Sequence, residues 1–201
     1  MTVIRRYLPD DRAHVYDVCL RTADAGLDAT GVYSDDDLMP EIFAGPYLEF
    51  DPGLAFVVDT GSRVSGYVIA TGDTRAFVEW YSELWMPRLQ RFRHVVPPVT
   101  AEEQVIDLGY RPQRMLIPEV DDYPAHLHID LLPEVQGQGF GRELVRSLLS
   151  ALRERGIRGL HLTMDPANVA ARAFYDRLGF RELPSSTPDE LVLAIPIDAA
   201  V

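Results

Sequence analysis

The sequence has a single cysteine, Cys19, and no long apolar run. One cysteine cannot form a disulfide within the chain or supply a cysteine-based zinc site. We interpret Cys19 as a small buried residue of the first helix. The N-terminal stretch MTVIRRYLPDD lacks an apolar signal core, and no segment approaches the roughly 18 apolar residues of a membrane span. These absences favour a cytoplasmic protein that does not enter a membrane.

Basic residues are also scarce, since 19 Lys+Arg stand against 31 Asp+Glu and give a formal net charge of −12. A protein that coats nucleic acid needs a basic surface, so this balance argues against a nucleic-acid partner. It is compatible with a cationic acceptor such as an amine, and equally with an ordinary soluble surface. The 201 residues suffice for one domain with a real core, and we expect a single domain over 1–201.

Strand-like and helix-like segments alternate along the chain, without internal repeats. Runs rich in β-branched residues predict strands over 2–8, 54–60, 63–71, 125–132 and 159–164, followed by two closing strands. Apolar residues at helical spacing predict helices over 11–25, 35–48, 139–155 and 167–178. Gly61 and Ser62 indicate a hairpin, whereas the strand–helix–strand–helix series over 125–178 implies a parallel pair. We therefore predict a mixed α/β sheet with helices packed on it.

Gly137, Gly139 and Gly141 occupy alternate positions at a strand-to-helix junction. The first N–H groups of a helix lack intrahelical partners, and the helix dipole places partial positive charge at the same end. Without side chains at the glycines, an anion can approach these groups closely. The segment predicts a seat for a phosphate or pyrophosphate, which Arg142 and Gln136 can supplement.

Two better-known glycine motifs do not fit this segment. The P-loop requires Gly-Lys-Ser/Thr, which does not follow the glycines. The dinucleotide fingerprint has glycines at positions 1, 3 and 6, but the sixth position counted from Gly137 is Arg142. The following strand, 159–164, also lacks the acidic residue of that fingerprint. A tight turn alone explains one glycine better than three at this spacing.

The stretch LLPEVQGQGFGRELV resembles motif A of the GNAT acyltransferases, Gln/Arg-x-x-Gly-x-Gly/Ala, which Gln136, Gly139 and Gly141 fill. Residues 165–180, DPANVAARAFYDRLGF, resemble the next motif of that family. The resemblance covers 125–182 and implies a GNAT-type fold, with a mostly antiparallel sheet, a parallel pair at the cofactor cleft and helices on both faces. FDPGLAFVV, SGYVIAT and YPAHLHIDL carry a weaker resemblance to the acetyltransferase-like C-terminal domain of protein O-GlcNAc hydrolases.

The resemblance implies an N-acetyltransferase that uses acetyl-CoA and transfers the acetyl group directly to a primary amine, of a small molecule or a peptide, in a ternary complex. In this family, the glycine motif binds the pyrophosphate of coenzyme A, and the strand before it pairs with the pantetheine. The implied cofactor-binding residues are Leu131, Leu132, Gln136, Gly137, Gln138, Gly139, Phe140, Gly141, Arg142, Asn168, Ala171, Phe174 and Tyr175. The alternative hypothesis is a sensor or interaction module that binds acetyl-CoA without turnover.

The second motif, residues 165–180, contains the residue that the family resemblance implies is the general acid. Asn168 and Tyr175 are two helical turns apart and share a helix face. By resemblance, Tyr175 protonates the departing thiolate. Asn168 is equally a candidate for the helix N-cap and for a cofactor contact. Phe174 points to a neighbouring face, where we expect it to pack against the core or the pantetheine.

The general base is left open by the sequence. His126, His128 and Asp130 alternate along a strand, so they share one face that we expect to look into the acceptor cleft. Histidine titrates near neutral pH, and aspartate needs burial to reach that range. His128 and Asp130 are the catalytic candidates, with structural hydrogen bonding, solvent exposure or a chain of waters as the alternatives. No further ligand at useful spacing supports a metal site.

Residues 73–123 are atypical of the family. Their predicted helix carries aromatic residues at Trp80, Tyr81, Trp85 and Phe92. We favour packing of this helix onto the sheet, and the alternative is a wall or lid of the acceptor pocket. The sequence leaves open the identity of the acceptor and the choice between monomer and homodimer.

Overall fold

The computed structural model describes residues 1–24, 26–199 and 201 of the chain. Within them, seven strands form one sheet in the order β1-β2-β3-β4-β5-β7-β6. The strands are β1 (Val3–Arg6), β2 (Phe56–Asp59), β3 (Val64–Thr71), β4 (Ala125–Leu131), β5 (Gly159–Met164), β6 (Arg181–Glu182) and β7 (Leu191–Pro196). Neighbours pair antiparallel except β4 and β5, which are parallel. The predicted mixed sheet is confirmed.

Seven α-helices are found among the described residues. They are α1 (Arg12–Leu20), α2 (Leu38–Phe43), α3 (Gly45–Phe50), α4 (Thr74–Trp80), α5 (Ala101–Gly109), α6 (Phe140–Glu154) and α7 (Val169–Leu178). Thr100 and Glu103 form a capping box at the start of α5. Gly179, with φ 89°, ends α7 in the left-handed conformation that its position predicts. Across the described residues, the helices fall short of the length and apolar character of a membrane span.

Helices cover both faces of the sheet, as expected. On one face, Leu144 and Leu148 of α6 pack with Leu160 of β5. On the other face, Tyr47 of α3 and Phe77 of α4 pack in a core that also contains residues of α1, α2 and α5. Each face of the sheet therefore has its own apolar core, as layered folds require. Cys19 lies buried in the second core.

The described residues of β4 and β5 pair at two positions, where both strands begin. Ala125 pairs with Leu160, and His126 pairs with His161. Beyond these pairs, β4 continues along β3 and β5 continues along β7. The two parallel neighbours separate, so main-chain groups on their facing edges no longer have each other as partners. This opening, with the glycine segment in front of it, positions the site.

One predicted helix is divided in the structure. The helix expected over 35–48 is the pair α2 and α3, because Ala44 between them leaves the helical conformation, with φ −124°. The residue before α2 is Asp37, whose side chain makes no capping bond, and Ser34 donates its hydroxyl to Glu102 at 2.5 Å. A side-chain partner far along the chain therefore replaces the local cap.

The aromatic helix after β3 packs into the core on the α3 side. α4 continues as a π-helical turn, Tyr81–Trp85, and a 3-10 segment, Met86–Arg91. Tyr81 and Trp85 are fully buried, and Trp85 donates its indole N–H to the carbonyl of Glu41 at 2.8 Å. These contacts show the packing that we favoured from the sequence.

Candidate active site

Gly137 and Gly139 have left-handed backbone conformations. The angle φ is 71° at Gly137 and 90° at Gly139, the residue before α6. For other residues, this conformation costs roughly 1–2 kcal/mol. Among the described residues, no atom lies within 4 Å of the position that a Cβ would take at either glycine. The pair turns the chain into α6 and leaves the helix N-terminus open.

Gly141 has a different role. A Cβ at Gly141 would lie 3.0 Å from Cε2 of Phe174 on α7, which is closer than side chains normally approach. This glycine therefore lets α6 and α7 come together. Our sequence interpretation, in which all three glycines clear space for an anion, is wrong for Gly141, because Phe174 fills the space that its missing side chain leaves.

Two glutamine side chains brace the glycine loop from within. Gln136 Nε2 donates to the carbonyl of Leu131 at 2.8 Å, and Gln138 Nε2 donates to the carbonyl of Glu134 at 2.7 Å. These bonds fix the loop to the end of β4 and to its own first turn. In this structure, Gln136 contributes to the anion seat by holding the loop that forms it.

A cleft of about 900 Å³ lies between the end of β4, the glycine loop and α7. Its lining includes the implied cofactor-binding residues except Leu132, namely Leu131, Gln136, Gly137, Gln138, Gly139, Phe140, Gly141, Arg142, Asn168, Ala171, Phe174 and Tyr175. Arg146 and Arg177 also line it, and we did not predict them. Arg146 lies one helical turn after Arg142, a spacing that could have indicated it. Arg146 donates to Glu143 and to the carbonyl of Val201, so Arg142 and Arg177 are the guanidinium groups that make this cleft attractive to phosphates.

The main-chain N–H and C=O groups of Leu131 and Ile129 on β4 face the cleft. The N–H of Leu132 donates to the carbonyl of Ser65 at 2.9 Å, so Leu132 faces β3. Because main-chain groups of successive strand residues point to opposite edges, those of Leu131 and Ile129 face the opening. Both residues line the cleft. Leu132 therefore pairs with β3, its expected role beside the pantetheine stays a prediction, and Ile129 is a further candidate for that role.

Asn168 caps α7. Its Oδ1 accepts the N–H of Ala171 at 3.0 Å, which satisfies a donor that the first turn would leave free. Asn168 also lines the cleft. The capping alternative is therefore confirmed, while a contact between Asn168 and the cofactor stays a prediction.

Asp130 and Tyr175 reach the same cleft, one from β4 and the other from α7. Burial raises the pKa of Asp130 to about 6, although the hydrogen bond from Tyr67 opposes the shift. Burial and then the charge of Asp130 raise the pKa of Tyr175 above its ordinary value. Near pH 7, the cleft therefore holds an ionised carboxylate that can accept a proton and a hydroxyl that can donate one.

His126 and His128 lie on the same face of β4 as Asp130, but neither is among the described residues of the cleft lining. The hydroxyl of Tyr47 lies 2.7 Å from His126 Nε2 and 3.1 Å from His128 Nε2. Burial and then the charge of Arg114 lower the pKa of His128 to about 4. Because such a group is a weak base at neutral pH, the structure favours Asp130 over His128. Within the described residues, no three His, Cys, Asp or Glu side chains are grouped to hold a metal.

The profile of the Acetyltransferase (GNAT) family matches residues 27–180. This match spans most of the chain and contains the glycine loop, α6 and α7. The chain belongs to the GNAT acetyltransferase family. Acetyl-CoA is the cofactor of this family, and the expectation of a GNAT fold is confirmed.

The acetyltransferase is similar to proteins with different names. It is 26% identical over 185 residues to protein O-GlcNAcase of Rattus norvegicus, a match that covers 90% of this chain and 20% of that protein. It is 35% identical over 85 residues to the ribosomal protein bS18-alanine N-acetyltransferase of Escherichia coli K12, which covers 38% of this chain and 57% of that enzyme. The chain thus spans about a fifth of the O-GlcNAcase and just over half of the bacterial enzyme.

Solved structures share the fold. The crystal structure of SsHAT matches with a TM-score of 0.93 and 46% identity, over 98% of this chain and 99% of that chain. The structure of yncA from Salmonella typhimurium with its cofactor acetyl-CoA matches with a TM-score of 0.57 and 16% identity, over 99% of this chain and 95% of that chain. The second likeness concerns the fold alone.

The residues of the cleft fit acetyl-CoA. Gly137 and Gly139 open the N-terminus of α6 to a pyrophosphate. The main-chain edge at Leu131 and Ile129, where Gln136 already donates to the Leu131 carbonyl, suits the amides of the pantetheine arm, as an added strand would. Arginines at the cleft can bind further phosphate oxygens. When bound, acetyl-CoA supplies an acyl group activated as a thioester.

Proposed function

We propose that this acetyltransferase transfers the acetyl group directly to a primary amine while donor and acceptor are both bound. The observation that supports this proposal is the presence of Asp130 and Tyr175 in one cleft, with pKa values suited to a base and an acid. Cys19 is buried and its thiol pKa is raised by burial, which argues against a route through an acyl-cysteine.

Each residue has one task in this mechanism. Asp130, held by the hydroxyl of Tyr67, accepts a proton from the acceptor, because alkylamines are largely protonated at neutral pH. We assign to the N–H of Leu131 the stabilisation of negative charge on the acyl oxygen. Tyr175 donates its proton to the sulfur that leaves. The amine nitrogen would lose its second proton to Tyr175 as the C–N bond replaces the C–S bond, and Asp130 would release the first proton to solvent.

The acceptor enters from the side of α1 and α3 in this proposal. Asp130 bonds to Tyr67 on that face of the sheet, whereas Phe174 and Tyr175 belong to the core on the opposite face. Residues 73–123 contribute buried aromatic groups to the acceptor side, so we assign them to the support of the acceptor wall. We treat residues 1–201 as one catalytic unit.

The test is an acceptor screen that measures the free thiol of CoA. Alkylamines, amino amides and peptides with free amino groups are added with acetyl-CoA, and products are identified by mass spectrometry. The chain contains no lysine, so acetyl-lysine in the products must come from the acceptor. We expect thiol release that depends on an acceptor amine. Binding of acetyl-CoA without release across the panel would overturn the proposal.

The second candidate is an acetyl-CoA sensor without turnover. It is favoured by the similarity of 90% of this chain to a fifth of an O-GlcNAcase, a protein named for a different reaction. In that case, acetyl-CoA binds and stabilises the fold, and CoA release stays at the background rate in the unaltered protein and in Asp130→Asn and Tyr175→Phe alike. The acceptor screen and these variants together distinguish the two functions.

A further inference from the structure

Four side chains form a continuous hydrogen-bond chain on the acceptor face of β4. Thr74 Oγ1 lies 2.8 Å from His126 Nδ1 and 2.8 Å from the carbonyl oxygen of Pro124. The other nitrogen of His126 lies 2.7 Å from the Tyr47 hydroxyl, which lies 3.1 Å from Nε2 of His128. His126 and Tyr47 are buried, and His128 is the half-buried end of the chain.

The direction of this chain is fixed at its buried end. The oxygens of Thr74 and Pro124 are 2.8 Å apart, and a carbonyl has no proton to give, so Thr74 donates its single hydroxyl proton there. Thr74 must then accept from Nδ1–H of His126. Neutral His126 consequently carries a lone pair on Nε2, which accepts the proton of Tyr47. The oxygen of Tyr47 accepts in turn from Nε2–H of His128.

This assignment leaves Nδ1 of His128 as a hydrogen-bond acceptor. Burial, followed by the charges of His161, His128 and Arg114, keeps the pKa of His126 well below its ordinary value. Burial lowers the pKa of His128 to about 4. Both rings are therefore neutral at pH 7. In the described residues, buried side-chain atoms without a partner occur on Ser65, Tyr81, Glu119 and Ser185, and Nδ1 of His128 is not one of them. The His128 ring is half-buried, and we assign Nδ1 to its exposed part.

We propose that Nδ1 of His128 recognises a neutral hydrogen-bond donor on the acceptor, about 7 Å from the amine that reacts at Asp130. The spacing follows because His128 and Asp130 are two residues apart on one face of a strand. Tyr47, His126 and Thr74 are positioning residues, which act by holding His128 in one tautomer. This inference rests on the proposed function and adds a specificity subsite to it.

The donor group is neutral because a cation lies beside the subsite. The ring of Phe43 meets the edge of His128, with centroids 5.9 Å apart, and the guanidinium of Arg114 lies 5.6 Å from the centroid of the same Phe43 ring. A second ammonium group at His128 would be repelled by Arg114. An amide or a hydroxyl is therefore the expected group, rather than the second amine of a diamine.

The first experiment measures the tautomer without any ligand. Protein labelled with ¹⁵N in histidine is examined by long-range ¹H–¹⁵N NMR at pH 7. We expect the Nε2–H form at His128 and the Nδ1–H form at His126. In Tyr47→Phe, His128 should lose its single form and exchange between both. The Nδ1–H form at His128 in the unaltered protein would overturn the proposal.

The second experiment compares four acceptors of equal length: pentylamine, 5-aminopentan-1-ol, 1,5-diaminopentane and 5-aminopentanoate. A neutral hydrogen bond predicts that kcat/KM is about fivefold higher for the amino alcohol than for pentylamine. The diamine should not exceed pentylamine. A preference for 5-aminopentanoate would show that Arg114 binds the acceptor's carboxylate. Equal kcat/KM values for all four amines would show that no subsite exists. Either result overturns the proposal.

Variants separate the subsite from the fold and from catalysis. His128→Phe keeps a ring and should abolish the fivefold preference for the amino alcohol over pentylamine. Tyr81→Phe is the matched control. The Tyr81 hydroxyl is buried in the same core, has no hydrogen-bond partner among the described residues and is not part of the hydrogen-bond chain. It should retain both the preference and the tautomers.

Failure of the subsite and failure of the proposed function give different results. If none of the four amines reacts, the ¹⁵N shift of His128 Nδ1 is followed as 5-aminopentan-1-ol is added in the presence of CoA. A shift that pentylamine does not cause supports the subsite even without turnover. No shift with either compound overturns it. If Asp130→Asn loses turnover while the ¹⁵N signal of His128 is unchanged, the result bears on the catalytic role of Asp130 and not on the subsite at His128.

Discussion

Gly141 of α6 and Phe174 of α7 are in direct contact, such that a Cβ at Gly141 would lie 3.0 Å from Cε2 and 3.1 Å from Cζ of the phenyl ring. α6 follows the glycine loop, and α7 carries Tyr175. The spacing of the two helices at this contact therefore sets the position of Tyr175 relative to the glycine loop.

Gly141→Ala should weaken acetyl-CoA binding by about tenfold, because the added methyl group displaces Phe174 into the cleft and overpacking of this kind costs roughly 1–3 kcal/mol. Titration calorimetry measures the effect. The double variant Gly141→Ala with Phe174→Leu should recover most of the affinity. If the double variant binds as weakly as the single one, the steric explanation is incorrect.

Gly139→Ala and Gly156→Ala should destabilise the fold by similar amounts, roughly 1–2 kcal/mol each, since both glycines have left-handed backbones. At both positions the space around the added methyl group is open. Acetyl-CoA affinity should fall for Gly139→Ala alone, because Gly156 lies at the far end of α6. Denaturant unfolding and calorimetry test the pair, and an equal loss of affinity in both would contradict the anion seat.

Asp130→Asn should lower kcat by 10²- to 10⁴-fold, the usual contribution of a general base, while acetyl-CoA binding is retained. In the unaltered enzyme the active form of Asp130 is ionised and its pKa is about 6. The rate should therefore fall about tenfold for each pH unit below 6 and level off above it. A rate that is independent of pH between 4 and 8 would remove Asp130 from this role.

The same carboxylate should make the fold less stable as pH rises. Its folded-state pKa of about 6 is above the ordinary value of 3.8, so the folded protein binds the proton more tightly than the unfolded chain. The stability that this proton provides is fully present below about pH 4 and is lost as pH rises through 6. Asp130→Asn should raise Tm by several degrees at pH 8 and by much less at pH 4. Calorimetric scans at both pH values test this, and a lower Tm at pH 8 would contradict it.

Tyr175→Phe should reduce kcat and leave the Kd for acetyl-CoA nearly unchanged, because it removes the proton donor and keeps the ring that packs in the core. Burial and the charge of Asp130 raise the pKa of Tyr175, so its hydroxyl stays protonated at pH 9. The unaltered enzyme should accordingly show no loss of rate from Tyr175 between pH 7 and 9. Steady-state rates with a good acceptor provide the measurement.

The donor side of the site could be predicted because short stretches of sequence encode it. Helix termini and turns depend on residues a few positions apart, which is why the strand-to-helix junction at Gly137 and Gly139 could be predicted. The family motifs added the identity of the donor. Strand alternation also placed His126, His128 and Asp130 on one face, as the structure shows.

The acceptor side was decided by tertiary structure. Asp130 acquires its pKa from burial and is held by Tyr67, 63 residues away, and His128 is held by Tyr47, 81 residues away. Sequence spacing could not show that Phe174 fills the space at Gly141, because that contact joins two helices. The sequence by itself thus determined the conformation of the loop that receives acetyl-CoA. Packing between distant segments alone determined which side chains are buried, charged and free to meet the acceptor, because burial and hydrogen-bond partners arise from long-range contacts.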